Sequence, residues 1–234
     1  MLKTELPKAG HWLFRWRSYA PLPLFAVALL LVVFHGPDEM PGRTAFELGC
    51  LALSLLGLAI RLRVLGTVSE KTSGRNTRSQ VAEELNADGL YSLVRHPLYL
   101  GNFFIYLGVA LFPGVWWLPV FFALLFWVYI ERIMFAEEDF LEQQFGDAFR
   151  AWAAATPAFV PRFSRWQPSS RPYRLRQALR RDRSAILGVA LVFALLVTAQ
   201  RGTAATLIGP DLFWGALALA GVVLYAIGKL IRAE

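Results

Sequence analysis

Two short stretches put charged and titratable side chains beside long apolar runs. Arg95, His96 and Pro97 lie in "YSLVRHPLYLG" (91–101), directly before one such run. Glu137 and Glu138 lie in "FAEEDFLEQQFGDAFRAWAAATPAFVP" (135–161), directly after another. A guanidinium and an imidazole meeting two carboxylates would form a cluster of opposite charges able to grip a charged ligand. Plainer readings exist for each part. Proline suits a helix's first turn, and an arginine there can reach phosphate headgroups. An acid pair suits a solvated helix start.

The elements that must position these residues are membrane helices. The chain has 234 residues and is 56% hydrophobic, with a mean hydropathy of +0.44. Its apolar residues come in blocks that read as spans. The blocks predict an all-α, polytopic integral membrane protein with about six transmembrane helices, over 21–35, 44–66, 98–112, 116–135, 184–200 and 210–228. Acids, Phe and Trp at helical spacing over 136–155 predict a cytoplasmic amphipathic helix. Gly146 within it marks a kink or a close contact. The basic, aromatic residues 1–20 read as an interfacial segment. The chain then divides into that segment, a first transmembrane hairpin (21–66), a core of loop, hairpin, helix and connector (67–161), a basic cytoplasmic connector (162–183) and a last transmembrane hairpin (184–234).

The net charge is +7. With the N-terminus inside, the outer turns hold only Arg43 and Arg201, and the other Lys and Arg fall in inner segments or near inner span ends. This asymmetry predicts both termini in the cytoplasm of an inner-membrane protein, bacterial by expectation. The basic surplus is then topological, and the expected partner is the lipid bilayer, not nucleic acid. Cys50 is the one cysteine, which rules out an intrachain disulfide and a cysteine-based metal cluster; no metal site is expected. No small-residue cleavage site follows the first apolar run. Spans three and four are joined by the short outer turn "PGVWW", so their inner ends must be neighbours. That brings His96 towards Glu137 and Glu138, with Arg132 one turn before the acids.

The joint pattern resembles the isoprenylcysteine carboxyl methyltransferase and phospholipid methyltransferase superfamily. The resemblance covers residues 89–161. It rests on Gly89 and Tyr91, then Arg95, His96, Pro97, Tyr99 and Gly101, then the acid pair with Leu141 and Phe145-Gly146, then Pro157 and Pro161. It implies an integral membrane methyltransferase that uses S-adenosyl-L-methionine, held on the cytoplasmic side by the two motif blocks. By position, Arg95, His96, Pro97, Leu98, Tyr99, Gly101, Glu137 and Glu138 would form the cofactor site. Glu137 or Glu138 suits the cofactor's ammonium and Arg95 or His96 its carboxylate. Tyr99 and Pro97 suit the adenine, and Gly101 a close approach to the backbone. The chain departs from the family pattern at Phe149 and Trp152, where members often carry Tyr, and at Ala155, where they carry a basic residue.

Methyl transfer of this kind is an in-line displacement that depends on positioning and exclusion of water. A carboxylate or phosphate acceptor needs no general base, whereas an amine does, and His96 or Glu138 are then the catalytic candidates. The implied acceptor is a membrane lipid or lipid-modified substrate whose tail enters between spans. Arg61, Arg63 and Arg132 are candidates to bind its head, with positive-inside anchoring the plainer reading of the first two. Nothing in the sequence fixes the oligomeric state. The alternative is a non-enzymatic membrane protein of the same scaffold, a small-molecule sensor or transporter. The scarcity of ionisable residues at mid-span, Glu47 being the main exception, disfavours transport.

Overall fold

A computed structural model describes residues 10, 12–35, 41–69, 82–209 and 211–231. Parts of the expected interfacial segment (1–9 and 11), of the first outer turn (36–40) and of the polar loop (70–81) lie outside the described residues. Among the described residues the chain is helical and contains no strand, only an isolated antiparallel bridge between Gly89 and Gln167.

After a helical stretch at 12–16, the α-helices among the described residues are, in order, α1 Pro21–His35, α2 Arg43–Leu65, α3 Pro97–Leu111, α4 Trp117–Phe145, α5 Asp147–Ala155, α6 Leu175–Arg201, α7 Thr203–Ile208 and α8 Leu212–Leu230. Of the six apolar helices, α2, α4, α6 and α8 are long and apolar enough to cross a membrane. The expected first and third spans, α1 and α3, have 15 residues each. At 1.5 Å per residue they reach about 22 Å, short of the roughly 30 Å hydrocarbon layer. Many large apolar side chains along these helices are exposed, as a lipid-facing surface requires.

Three boundaries differ from the sequence-based expectation, each for a local reason. Helix α4 does not stop at 135 but runs on to Phe145, 29 residues in all. Its length of about 43 Å outreaches the roughly 30 Å hydrocarbon layer. The expected amphipathic helix is therefore divided: its first half continues α4, and its second half is α5. The division falls at Gly146, whose φ of +52° and ψ of −121° suit only glycine. Helix α6 begins at Leu175, inside the expected connector, so the arginines within 176–183 ride on the helix itself.

Helix α2 packs most extensively on α3, and α6 on α8, with α2 also meeting α6. The α2–α3 seam is built from small residues. A Cβ on Gly57 would stand 2.3 Å from the Gly101 carbonyl oxygen, and one on Gly108 would stand 2.2 Å from Ser54 Oγ. Ser54 itself donates to the Ile105 carbonyl (2.8 Å). At the end of the bundle remote from His96, Phe193 and Trp214 stack, with Phe112 edge-on to both. Beside them sits fully buried Glu47, which accepts from Arg43 Nε (2.9 Å) and Arg201 Nη2 (2.7 Å). Arg43 also donates to the Phe112 carbonyl, and Arg201 to Asp211. Arg43 and Arg201 thus close a clamp across α2, α3, α6 and the start of α8.

Candidate functional site

At the other end, α3 and α4 bring the two motif blocks together. Proline at position 97 opens α3 without needing an N–H partner. His96, just before it, is held in an extended turn (φ −122°, ψ 62°) that aims the imidazole at α4. Its Nε2 lies 2.8 Å from Glu138 Oε1 and its Nδ1 3.5 Å from Glu137 Oε2. Arg95 Nε donates to the same Glu138 oxygen (2.9 Å). One turn into α3, the Tyr99 hydroxyl donates to Glu137 Oε1 (2.6 Å), its ring lying against that of His96.

The chain after α5 braces this cluster from below. Thr156 precedes Pro157 and takes the extended backbone that position imposes (φ −118°, ψ 124°). The chain then runs alongside residues 93–96: Arg95 N–H donates to the Pro157 carbonyl, His96 N–H to Ala158, and Arg162 N–H to Leu93. Arg95 Nη1 also donates to the carbonyls of Ala153 (2.7 Å) and Thr156 (3.2 Å). Trp152 Nε1 reaches the Tyr91 carbonyl (3.2 Å). Phe159 packs on Phe103, Phe126 and Trp127, tying the segment to α3 and α4.

Carboxylates only accept hydrogen bonds, so an imidazole between two of them is favoured with both nitrogens protonated. Burial of His96 opposes that charge, but the hydrogen bonds and charges of Glu137 and Glu138 outweigh it and raise its pKa. Arg95 and His96 supply two positive charges to the cluster, Glu137 and Glu138 two negative ones.

These residues open onto a cavity of about 2310 Å³ bounded by the N-terminal segment, α1, α3, α4 and α6. Arg95, His96, Pro97, Leu98, Tyr99 and Glu137 line it, together with Tyr91 and Trp152. Glu138 stands behind this lining and holds Arg95 and His96 in place. From there the cavity continues along apolar side chains of α1 and α4, among them Phe25, Phe122 and Leu125. Glu137 is 27% exposed, so its carboxylate retains access to the cavity after accepting from Tyr99.

Not every expected position faces the cavity. The close approach expected at Gly101 is made by α2 instead: a Cβ there would stand 2.6 Å from Arg61 Cγ and 2.8 Å from the Gly57 carbonyl oxygen. Arg63 lies over the Tyr173 ring at 5.4 Å and is not among the lining residues. Arg132 does line the cavity and turns back to donate to the Val128 carbonyl of its own helix. Arg61 lines it too, but as half of a buried pair with Asp182 of α6, while its Nη1 donates to Asn102 Oδ1 (2.6 Å). Asn102 and Asp182 escaped the sequence reading. The only signals were an amide one turn past Tyr99 and a lone acid in "RLRQALRRDRS".

The all-helical bundle thus places a polar cluster at the mouth of a large, mostly apolar cavity. Residues 46–148 match the model of the phospholipid methyltransferase family. Over 77 residues, a third of the chain, it is 32% identical to a protein-S-isoprenylcysteine O-methyltransferase of Schizosaccharomyces pombe. Over these residues the chain is thus similar to the isoprenylcysteine carboxyl methyltransferase and phospholipid methyltransferase superfamily. Two further relatives are the nickel-cobalt-cadmium resistance protein NccN of Alcaligenes xylosoxydans xylosoxydans (27% identity, 62% of this chain) and the cobalt-zinc-cadmium resistance protein CzcN of Cupriavidus metallidurans (32%, 51% of this chain). The matches span 33%, 65% and 54% of these three relatives' own lengths, each under two thirds. No solved structure matches the chain. Among the described residues, no group of three or more His, Cys, Asp or Glu is placed to hold a metal ion.

Proposed function

We propose that this integral membrane protein moves a methyl group from S-adenosyl-L-methionine to the polar head of a lipid or lipid-modified substrate at the cytoplasmic face. The observation that carries this reading is the meeting of Arg95, His96, Tyr99, Glu137 and Glu138 at the mouth of a cavity that turns apolar along α1 and α4. A cavity of about 2310 Å³ exceeds the roughly 1,000 Å³ upper range of small-molecule sites, leaving room for a nucleotide and an apolar tail together.

The residues present fit the cofactor. When bound, S-adenosyl-L-methionine supplies an electrophilic methyl on a cationic sulfonium. Glu137 offers a carboxylate to its ammonium, and Arg95, fixed by Glu138 and two backbone carbonyls, keeps its guanidinium at the cavity wall for a carboxylate. Trp152, Tyr91 and Tyr99 offer aromatic faces to the adenine. The apolar walls exclude water from the reacting centre. With His96 between two carboxylates and protonated, its role is to position Glu137 and Glu138; it is poorly suited to be a base. An acceptor that is already an anion needs none. Both termini then lie on the cytoplasmic side, in the inner membrane of a bacterium.

The test is binding followed by turnover. Detergent-solubilised protein is expected to bind S-adenosylhomocysteine in calorimetry and to transfer labelled methyl groups into a lipid extract. Absence of both removes the reading. Alkali-labile label identifies an ester, and alkali-stable methylamine identifies an amine acceptor.

A further inference from the structure

The cavity has a second polar cluster, on the wall facing α6. Arg61 of α2 lies across the α2–α3 seam, its stem passing the empty side of Gly101. Its Nε and Nη2 grip the two Asp182 oxygens, and its Nη1 donates to Asn102. Asp182 is 2% exposed and Arg61 18%. These bonds use only part of the guanidinium's N–H set. Arg61, Asn102, Asp182 and the neighbouring Arg180 and Arg181 all line the cavity. Asn102 sits three residues after Tyr99 on α3, less than one turn away, which places the second cluster beside the first. A plain ion pair stapling α2 to α6 would need neither the asparagine nor a position on the cavity wall. Helix α6, moreover, lies outside the residues that match the methyltransferase family.

We propose that Arg61, oriented by Asp182 and Asn102, binds an anionic head, a carboxylate or phosphate oxygen carried on an apolar tail, and that α6 thereby selects the methyl acceptor. The proposal rests on the methyl-transfer reading for the identity of this ligand as the acceptor. Asp182 is a positioning residue: with its two oxygens on the fork, the guanidinium cannot rotate away from the cavity. An amine head would meet the Arg61 guanidinium as a like charge.

The test uses the full chain in detergent and reads quenching of its tryptophan fluorescence, since Trp12, Trp16, Trp117 and Trp152 line the cavity. Dibrominated stearic acid, phosphatidic acid and stearylamine are the probes. At least one of the two anions is expected to quench at tenfold lower concentration than the amine, and the tighter anion tells carboxylate from phosphate. Arg61→Gln and Asp182→Asn are expected to bring anions and amine within about threefold, and half-buried Asn102→Ala to narrow the gap. An amine that binds as tightly as the anions in the wild-type protein overturns the proposal without any variant having to fold. So does a tenfold preference that persists in both Arg61→Gln and Asn102→Ala. S-adenosylhomocysteine affinity is measured separately in the wild-type protein. Anion preference without cofactor binding leaves the head site standing and removes the methyl-transfer reading; cofactor binding without anion preference does the reverse.

Discussion

The imidazole Nε2 of His96 stands 2.8 Å from Glu138 Oε1, joining residues 42 positions apart. The same oxygen accepts from Arg95 Nε at 2.9 Å. One atom of α4 therefore fixes both side chains that precede α3, and with them the polar rim of the cavity.

Glu138→Gln keeps the volume and removes the charge. Hydrogen bonds to charged groups contribute about 1.5–3 kcal/mol each, so S-adenosylhomocysteine affinity should fall about 10- to 100-fold in calorimetry. Asp139→Asn, an exposed neighbour on the same helix, is the control and should bind like the wild type. Equal affinity in Glu138→Gln and wild type would separate the ion cluster from the cofactor.

Glu137→Gln tests the direct contact. The amide oxygen can still accept from the Tyr99 hydroxyl, so the fold should hold within a few degrees of melting temperature. Loss of the carboxylate facing the cavity should weaken S-adenosylhomocysteine by about tenfold. A variant that melts normally and binds normally would place the ammonium elsewhere.

The raised pKa of His96 makes stability depend on pH. The folded state holds the imidazolium more tightly than the unfolded chain, whose histidine titrates near about 6.5. The stabilisation is complete below that value and is lost as pH rises through the higher folded pKa. Melting temperature in detergent should therefore decline as pH rises from near neutrality, and His96→Gln should flatten that decline. A wild-type profile that rises over this window would contradict the protonated pair.

Gly146 holds φ +52° with nothing crowding a Cβ, so Gly146→Ala acts through backbone strain alone, costing about 1–3 kcal/mol. Relief by straightening α4 into α5 would pull Trp152 and Ala153 away from Tyr91 and Arg95. The expected result is a lowered melting temperature together with weaker S-adenosylhomocysteine binding. Unchanged values of both would show that the bend is not required.

Glu47→Gln opens the clamp at the far end of the bundle, leaving Arg43 and Arg201 with an uncompensated charge in a buried site. Breaking such a pair costs on the order of 3–5 kcal/mol. Thermal stability should drop sharply, while cofactor affinity in the protein that remains folded should not change. A concurrent loss of affinity would mean that the two ends of the bundle are coupled.

The helical membrane class, the pairing of the third and fourth apolar helices and the meeting of Arg95 and His96 with Glu137 and Glu138 were legible in the sequence. Each follows from local pattern: long apolar blocks, a five-residue turn that forces neighbouring ends, and charges flanking the blocks. The break at Gly146 was visible as a glycine, but its positive φ was not, because the same residue can equally serve as a contact point inside a continuous helix. Partner choice was decided only by the tertiary structure. Gly101 gave no sign of whether ligand or helix fills its empty side; the approach of Gly57 gives that side to α2. Arg61 looked like one more inner-end arginine, and Asp182 like one acid among arginines. The packing of α6 against α2 makes them a buried pair on the cavity wall. A side chain's type is a property of the sequence, whereas what it touches depends on how distant helices cross.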